Sequence, residues 1–204
     1  HVSMARGVKE AVGDADHLSV TGDNLQQVAK NLHDSYPEVF QSILRKMRER
    51  VTGVCDIETE DTLDGRLLLK FRNDTFEDPF IDKFVSDGTI KMFAYLVLLH
   101  DPQPHPFLCV EEPENQLYPK LLPALAEEFR EYALRGGQVF VSTHSPDFLN
   151  AIEVDEVFWL EKNEAGFTDI RRASDDPQIV DYMKDGDQMG YLWKQGLFGK
   201  ADPR

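Results

Sequence analysis

The sequence predicts an α/β fold with a mostly parallel sheet core, preceded by a helical subdomain and an antiparallel portion. Two observations carry this prediction. From residue 107 onward, short apolar runs alternate with segments of helical spacing, which is typical of parallel strands joined by crossover helices. Before that point, two helical patterns are followed by two strand-like runs joined by a turn-rich segment, which is typical of a β-hairpin.

The N-terminal elements follow from spacing and from helix-breaking residues. Residues 1–22 are polar and contain glycine, which predicts an irregular leading loop. Apolar residues recur at helical spacing from Leu25, with Asp23 as a candidate cap, and Pro37 separates this helix from a second one. We therefore expect residues 23–85 to form a helical subdomain followed by a hairpin.

The hairpin is expected to join VTGVCDIET to GRLLLKFRN across the segment EDTLDG. A third extended run, PFIDKFV, is expected to follow it. Cys55 and Cys109 both lie in strand-like runs and are predicted to be small core residues, because two distant cysteines indicate no disulfide framework.

Residues 86–174 are predicted to form the core of the domain. IKMFAYLVLLH indicates a buried helix, PFLCV and QVFVST two buried parallel strands, and PKLLPALAEEFREYALR the amphipathic helix between them. SPDFLNAI is expected to be a short helix, and VDEVFWLEK and FTDIRRA the closing strands.

Residues 175–204 are predicted to be a C-terminal tail with one short helix. Four apolar side chains of the tail are expected to pack onto the domain rather than to bind a base: Tyr191, Leu192, Trp193 and Phe198.

Composition limits the classes of function. Lys and Arg total 22 against 37 Asp and Glu, a formal net charge of −15, which argues against a chain that grips nucleic acid alone over a broad face. No apolar run approaches the ~20 residues that a membrane span needs. With no signal peptide and no disulfide pattern, we expect a cytoplasmic location. The start without Met favours a fragment, a processed chain or the remnant of a tag.

Three acids in four residues follow the PFLCV run: Glu111, Glu112 and Glu114. Ligands collect at the carboxyl ends of parallel strands, where one acid could hold magnesium and another could act as a general base. A solvated acidic loop is the alternative. His144 follows the next predicted strand, where an imidazole could contact a phosphate oxygen or the attacking water, or could instead be an inert core histidine.

A third candidate site precedes the buried helix. In VSDGT, Ser86 is a suitable N-cap and Gly88 allows close approach of the backbone, so the helix start could bind phosphate or could simply be capped.

Together, SDGT, FLCVEEPENQLYP and STHSP resemble the signature motif, the Walker B strand with its D-loop, and the switch histidine of ABC-type ATPases. The resemblance spans residues 80–150 and is closest to the RecF-like and SMC-like branch, including bacterial AAA-type toxin and overcoming-lysogenization (OLD-like) ATPases. The stretch TGDNLQQVAKNLHDSYPEVF resembles the segment that such proteins carry ahead of the signature. The implied fold is the C-terminal part of an ABC-type P-loop NTPase.

The resemblance implies a role for each motif residue. Glu111 would organise Mg²⁺ through water, Glu112 would polarise the water that attacks ATP, and His144 would contact the γ-phosphate. The D-loop would comprise Glu114, Asn115 and Gln116. The signature, which would bind a nucleotide held mainly by the other subunit, would comprise Ser86, Asp87, Gly88 and Thr89.

The P-loop that this family requires, GxxxxGK[ST], is absent from the sequence. GLFGKA, residues 196–201, has too few residues between its glycines and Ala in place of Ser or Thr. We therefore expect a longer protein whose N-terminal lobe carries the P-loop, and an isolated chain that hydrolyses essentially no ATP.

The implied assembly is an ATP-gated homodimer in bacterial DNA repair or anti-phage defence, with DNA or a partner nuclease as further candidates and no membrane. Three other functions agree less well with the sequence. A Toprim-like metal-dependent nuclease needs a DxD pair after a later strand, and that position reads STHS. The nucleotide-binding subunit of a transporter is disfavoured by the SDGT and ENQLYP forms. A non-catalytic interaction domain would not need Glu112 and His144.

Overall fold

The computed structural model describes residues 16–63 and 67–201 of the chain, which form two compact units. The first unit ends at Ser142 and the second begins at Thr143. Within the described residues, no helix combines the length and the apolar character needed to cross a bilayer. Most of the predicted leading loop, residues 1–15, lies outside the described part of the chain.

The first unit contains helices α1–α4 and strands β1–β5. Their bounds are α1 Leu25–Ser35, α2 Pro37–Arg50, β1 Asp56–Asp61, β2 Leu67–Arg72, β3 Phe80–Ile81, α3 Asp87–Leu99, β4 Phe107–Glu111, α4 Leu122–Leu134 and β5 Gln138–Ser142.

Helix α3 is the central element of this unit. It is buried along nearly its whole length, and α1, α2 and α4 all contact it. The helices α1 and α2 bury one apolar face each, as their spacing predicted, and Pro37 begins α2 because its fixed φ suits a first helical position. The predicted Asp23 cap is wrong: Asn24 precedes α1 and accepts from the Ser19 amide instead of capping the helix.

The predicted hairpin is confirmed by the antiparallel pairing of β1 and β2, from Asp56 opposite Arg72 to Asp61 opposite Leu67. Its buried face contacts α3 through Phe71, whose ring centroid lies 6.0 Å from that of Phe93. The third run is extended only at β3, because Asp82–Phe84 forms a 3₁₀ turn that leads into α3.

Strands β4 and β5 pair in parallel, with Glu111 opposite Ser142 at their carboxyl ends. The prediction that both strands are buried is wrong. Phe107 and Phe140 are 50% and 55% exposed, with ring centroids 5.4 Å apart. Cys109 is exposed as well and Cys55 is only partly buried, so neither thiol is a core residue. Phe107, Cys109 and Phe140 lie on the same face of this strand pair, and their exposure shows that this face is open to solvent. Val110 is the one buried residue of β4.

The second unit contains α5 Pro146–Leu149, β6 Phe158–Lys162, β7 Thr168–Arg172, α6 Pro177–Lys184 and α7 Met189–Lys194. The strands β6 and β7 form an antiparallel hairpin. The core of the second unit contains residues of α5, α6, α7 and β6 and of the segments that connect them: Leu149, Val157, Trp159, Ala173, Ile179, Met189, Leu192 and Phe198.

The tail predictions are partly right. Leu192 and Phe198 are buried in this core and Trp193 packs against it, as expected. Tyr191 is 52% exposed, and the described part of the tail, which ends at residue 201, contains two short α-helices where one was predicted. The close approach of α7 to α5 requires a residue without a side chain at Gly190. A Cβ at this position would collide with the carbonyl oxygen of Pro146.

Candidate active site

The signature segment, defined as Ser86, Asp87, Gly88 and Thr89, forms the N-terminus of α3. The Ser86 hydroxyl accepts a hydrogen bond from the Thr89 amide at 3.3 Å and lies 2.9 Å from the Thr89 hydroxyl. Ser86 and Asp87 are exposed. The first turn of this long helix is therefore capped by its own serine and faces solvent, where its remaining N–H groups favour an anion.

The acids predicted at the end of β4 differ in backbone conformation and exposure. Glu111 is the last residue of the strand and is exposed. Glu112 is partly buried and has a φ of 44°, in the left-handed region that residues other than glycine rarely occupy. Its amide donates to the carbonyl of Ser142 at 2.8 Å, so β5 holds the residue where the chain leaves the sheet.

Residues 112–117, which we name the β4 loop, fold back onto Glu112. The Asn115 amide donates to the Glu112 carbonyl at 3.1 Å, and the Asn115 side-chain nitrogen donates to Glu112 Oε2 at 2.7 Å. Gln116 also has a positive φ, 67°. The loop thus holds the Glu112 carboxylate through a neutral donor, which orients the carboxylate without adding a charge.

The signature segment and the β4 loop are in direct contact. A Cβ added at Gly88 would lie 2.8 Å from the carbonyl oxygen of Gln116, so only glycine allows this approach. One turn further along α3, Lys91 Nζ donates to the carbonyl oxygen of Asn115 at 2.5 Å. Two residues of α3 therefore contact adjacent peptide units of the loop, Gly88 by close packing and Lys91 by a hydrogen bond.

Burial governs the electrostatics of this contact. Lys91 is only 4% exposed, and burial lowers the pKa of its amine, while the nearby charge of Glu114 acts in the opposite direction. Burial also raises the pKa of the Tyr95 hydroxyl, and Glu114 adds to that shift. The sequence reasoning missed Lys91, although a single cation within the apolar run IKMFAYLVLLH was a signal that could have found it.

His144 lies in the second unit, between the end of β5 and α5. It is exposed, and its ring centroid lies 6.3 Å from that of Trp193. The next residue, Ser145, caps α5 by accepting from the Phe148 amide at 3.2 Å. The contacts described above join the signature segment to Asn115 and Gln116 within the first unit, and His144 belongs to the other unit.

A separate group of His and carboxylate side chains was not predicted. In the described part of the chain, His100, Glu128 and Glu131 are the one set of three such residues whose ligand atoms lie within 4.8 Å of one another. The Lys46 amine already donates to Glu128 at 2.7 Å and to Glu131 at 2.7 Å, and Arg50 also donates to Glu128. With its carboxylates bound to two cations, this group is an ion-pair network.

Solved structures of SMC heads are similar to this chain. The SMC head of Pyrococcus furiosus, with an extended coiled coil and the C-terminal domain of ScpA bound, matches with a TM-score of 0.50 and 13% identity over 78% of this chain and 42% of that one. The SMC head from Thermotoga maritima matches with a TM-score of 0.47 and 15% identity over 72% of this chain and 51% of that one. The chain thus spans about half or less of these two heads.

A third similar structure comes from work on ATP-driven dimerisation and DNA-stimulated activation of SMC ATPases. It has a TM-score of 0.47 and 14% identity, over 74% of this chain and 97% of that one. A search of curated proteins gives no significant match.

The sequence itself matches a family model described as "AAA domain, putative AbiEii toxin, Type IV TA system" over residues 3–150. The matched range includes both the signature segment and the β4 loop. It also includes the predicted switch histidine, His144. This chain therefore belongs to that family of AAA-type ATPase domains, and its mixed α/β fold is similar to that of SMC head domains.

Proposed function

We propose that this chain supplies the signature, the water-activating carboxylate and the D-loop of an ATP-hydrolysing site. The observation that carries the proposal is the contact between α3 and the β4 loop: Gly88 packs against Gln116, and Lys91 binds Asn115. Two segments that the resemblance assigns to one ATPase site, the signature and the D-loop, are adjacent in the fold.

The carboxylates fit a magnesium-dependent reaction. Glu111 and Glu112 provide hard oxygen donors at the carboxyl end of β4, the donor type that Mg²⁺ prefers, and we assign Glu111 to organise the ion through water. When bound, the ion would neutralise charge on the transferred phosphoryl group. We assign Glu112 as the general base, because its carboxylate is oriented by the Asn115 side chain.

The signature segment is assigned to a nucleotide held mainly by a second subunit. Its helix start is exposed, and N–H groups at a helix N-terminus favour phosphate oxygens. The D-loop would comprise Glu114, Asn115 and Gln116. We assign His144 to the γ-phosphate on the basis of its STHSP motif. ATP would then be the ligand that joins two copies into a dimer.

The remaining parts of the site must come from elsewhere. The sequence contains no P-loop, so we propose that the full-length protein provides it and that the isolated chain is inactive. We further propose a cytoplasmic protein of bacterial DNA repair or anti-phage defence. In that setting, the complete assembly would bind DNA or a partner nuclease. This chain alone is unsuited to broad contact with DNA, because its formal net charge is −15.

The test is Glu112→Gln in the full-length protein, with Glu127→Gln as a control, since Glu127 is an exposed carboxylate on α4. Loss of the base should reduce the turnover of ATP by about 10²–10⁴-fold, while ATP still joins the subunits, so dimers accumulate in size-exclusion chromatography. Glu127→Gln should retain wild-type turnover. Unchanged turnover in Glu112→Gln would remove the proposed base and, with it, this assignment of the site.

The isolated chain provides a second measurement. Isothermal titration with Mg-ATP should show no tight binding, because the phosphate contacts of a P-loop are missing. Tight binding would contradict the proposed division of the site between this chain and the rest of the protein.

A further inference from the structure

Lys91 is a buried cation in an otherwise apolar helix. Its neighbours in α3 from Met92 to Val97 are all buried, and an amine in such surroundings loses its hydration. Methionine or leucine would fill the same volume without that cost. The contacts that the amine makes must therefore account for its position.

Asn115 connects the Lys91 amine to the Glu112 carboxylate through two hydrogen bonds. Lys91 Nζ binds the main-chain oxygen of Asn115, and the side-chain nitrogen of Asn115 binds Glu112 Oε2 at 2.7 Å. Asn115 is thus held from α3 at its backbone and holds Glu112 with its side chain. A displacement of its peptide unit would also displace the donor to the carboxylate.

The β4 loop needs such external contacts. Glu112 and Gln116 both have positive φ angles, which cost L residues energy and persist only where the surroundings hold them. Ser142 holds the start of the loop from β5, and Gly88 and Lys91 hold its far end from α3. The helix that carries the signature segment therefore also fixes the loop that orients the base.

We propose that Lys91 is the positioning residue that couples the signature helix to Glu112, an inference that rests on the proposed ATPase function. Movement of α3 as the signature segment engages nucleotide would reach Asn115 through Lys91 and Gln116 through Gly88. The orientation of the Glu112 carboxylate would then depend on α3. Lys91 itself would touch neither ATP nor the attacking water.

The first measurement uses this chain and needs no nucleotide. Lys91→Met retains an unbranched apolar stem but removes the donor to Asn115, while Lys91→Arg retains a cationic donor. Lys30→Met is the matched control, because Lys30 is a more exposed lysine of α1 paired with Asp61. Hydrogen exchange of residues 112–117 should become faster in Lys91→Met, while exchange in the buried turns of α3 stays slow. Lys91→Arg should restore part of the protection, and Lys30→Met should behave as wild type.

The second measurement uses the full-length protein. Lys91→Met should lower kcat for ATP hydrolysis by about 10–100-fold, the size of effect typical of residues that orient metal ligands. The KM for ATP should remain within about twofold, because the ground-state contacts to nucleotide are unchanged. Lys91→Arg should recover part of kcat. A lower kcat at unchanged KM, in a protein whose buried turns of α3 still exchange slowly, is a result that a role in folding stability alone would not predict.

The two measurements test the positioning role of Lys91 separately from the proposed ATPase function. Unchanged exchange in residues 112–117, or faster exchange with wild-type kcat, would overturn the role of Lys91 while leaving the ATPase assignment intact. A full-length wild-type protein without ATP turnover would instead refute the proposed function. Faster exchange in Lys91→Met would then show only that Lys91 holds the loop.

Discussion

Glu112 and Gln116 adopt backbone angles that glycine would adopt more readily, with φ values of 44° and 67°. At Glu112 this conformation turns the chain out of β4 within one residue, and its side chain then binds Asn115. Glycine would relax the backbone at this position but would remove the carboxylate. Strained backbone of this kind is concentrated at functional sites, which agrees with the role proposed for Glu112.

Gly88 lies where even a methyl group would not fit. In Gly88→Ala, the new Cβ would lie 2.8 Å from the Gln116 carbonyl oxygen, and both partners are main chain, so neither can rotate away. We expect a loss of about 1–3 kcal/mol in the free energy of unfolding, as in other overpacked sites. Chemical denaturation followed by circular dichroism measures this loss.

Asp87→Ala is the control for Gly88→Ala, because Asp87 is the exposed neighbour in the same helical turn. It should cost at most about 1 kcal/mol, the usual size of a charge effect at a helix N-terminus. Equal stability of Gly88→Ala and wild type would mean that the β4 loop can move away from α3. The close contact would then not be a constraint on the site.

At the scale of elements, α2 and α4 are joined by buried charges. Glu128 of α4 is fully buried, and it accepts hydrogen bonds from Lys46 and Arg50 of α2. Lys46 also donates to Glu131, one helical turn beyond Glu128. Apolar residues of similar volume can often replace such a network without loss of stability, but removing Glu128 alone takes the shared buried acceptor away from two largely buried cations.

Glu128→Ala should therefore lower the free energy of unfolding by about 3–5 kcal/mol, because Lys46 and Arg50 would lose their main acceptor while largely buried. Denaturant titration followed by circular dichroism measures the change. The adjacent Glu127 is the matched control, since its side chain is 65% exposed and lies 3.7 Å from Arg50. Glu127→Ala should cost at most about 1 kcal/mol. Similar losses in both variants would contradict the importance of the buried pair.

His100 lies beside Glu128 in the same network and makes the stability of the fold depend on pH. Burial lowers the pKa of His100, the positive charges of Lys46 and Arg135 add to this, and the charge of Glu128 partly opposes it. The Leu96 carbonyl accepts from the ring Nδ1 at 3.0 Å. As pH falls through 6.5, the unfolded chain takes up the His100 proton before the folded chain does, so the unfolded state gains stability.

We therefore expect the free energy of unfolding to decrease as pH is lowered from about 7.5 to about 5.5, and His100→Gln to reduce that slope. Urea titrations across this range measure it. His33→Gln is the control, because His33 is a half-exposed residue of α1 beside Asp34. An equal slope in His100→Gln and wild type would show that other groups produce the pH dependence.

At the scale of the whole molecule, the chain comprises two compact units, and its two tryptophans both belong to the second. Trp159 and Trp193 each contact Phe198, with ring centroids 5.5 Å and 5.8 Å apart. Residues near the C-terminus thus form part of the core that supports the segment after His144. Tryptophan fluorescence reports on this unit alone.

Phe198→Ala should destabilise the second unit by about 3–5 kcal/mol, because it removes a buried aromatic ring from between two others. The transition followed by tryptophan fluorescence should move to lower denaturant concentration. Tyr191→Ala, at a half-exposed position of α7, should change it by less than about 0.5 kcal/mol. A wild-type transition in Phe198→Ala would mean that the C-terminal residues contribute little to this core.

Much of the fold could be predicted because its signals are local. The helical spacing from Leu25 to Leu32 places α1 correctly, and the alternation of apolar runs after residue 107 predicts the parallel pairing of β4 and β5. The burial of those strands could not be predicted. An apolar run shows which residues favour a core, but not whether the chain supplies a layer to cover both faces, and Phe107 and Phe140 remain exposed.

The sequence by itself determined which residues are candidates for ATP chemistry, because three short motifs resemble those of ABC-type ATPases: Ser86 to Thr89, the acids after β4, and the segment that contains His144. Only the tertiary structure decided that Gly88 meets Gln116, that Lys91 reaches Asn115, and that Lys46 reaches Glu128. Each of these contacts joins residues more than 20 positions apart. Such contacts depend on how packed helices orient their side chains, which no local pattern in the sequence specifies.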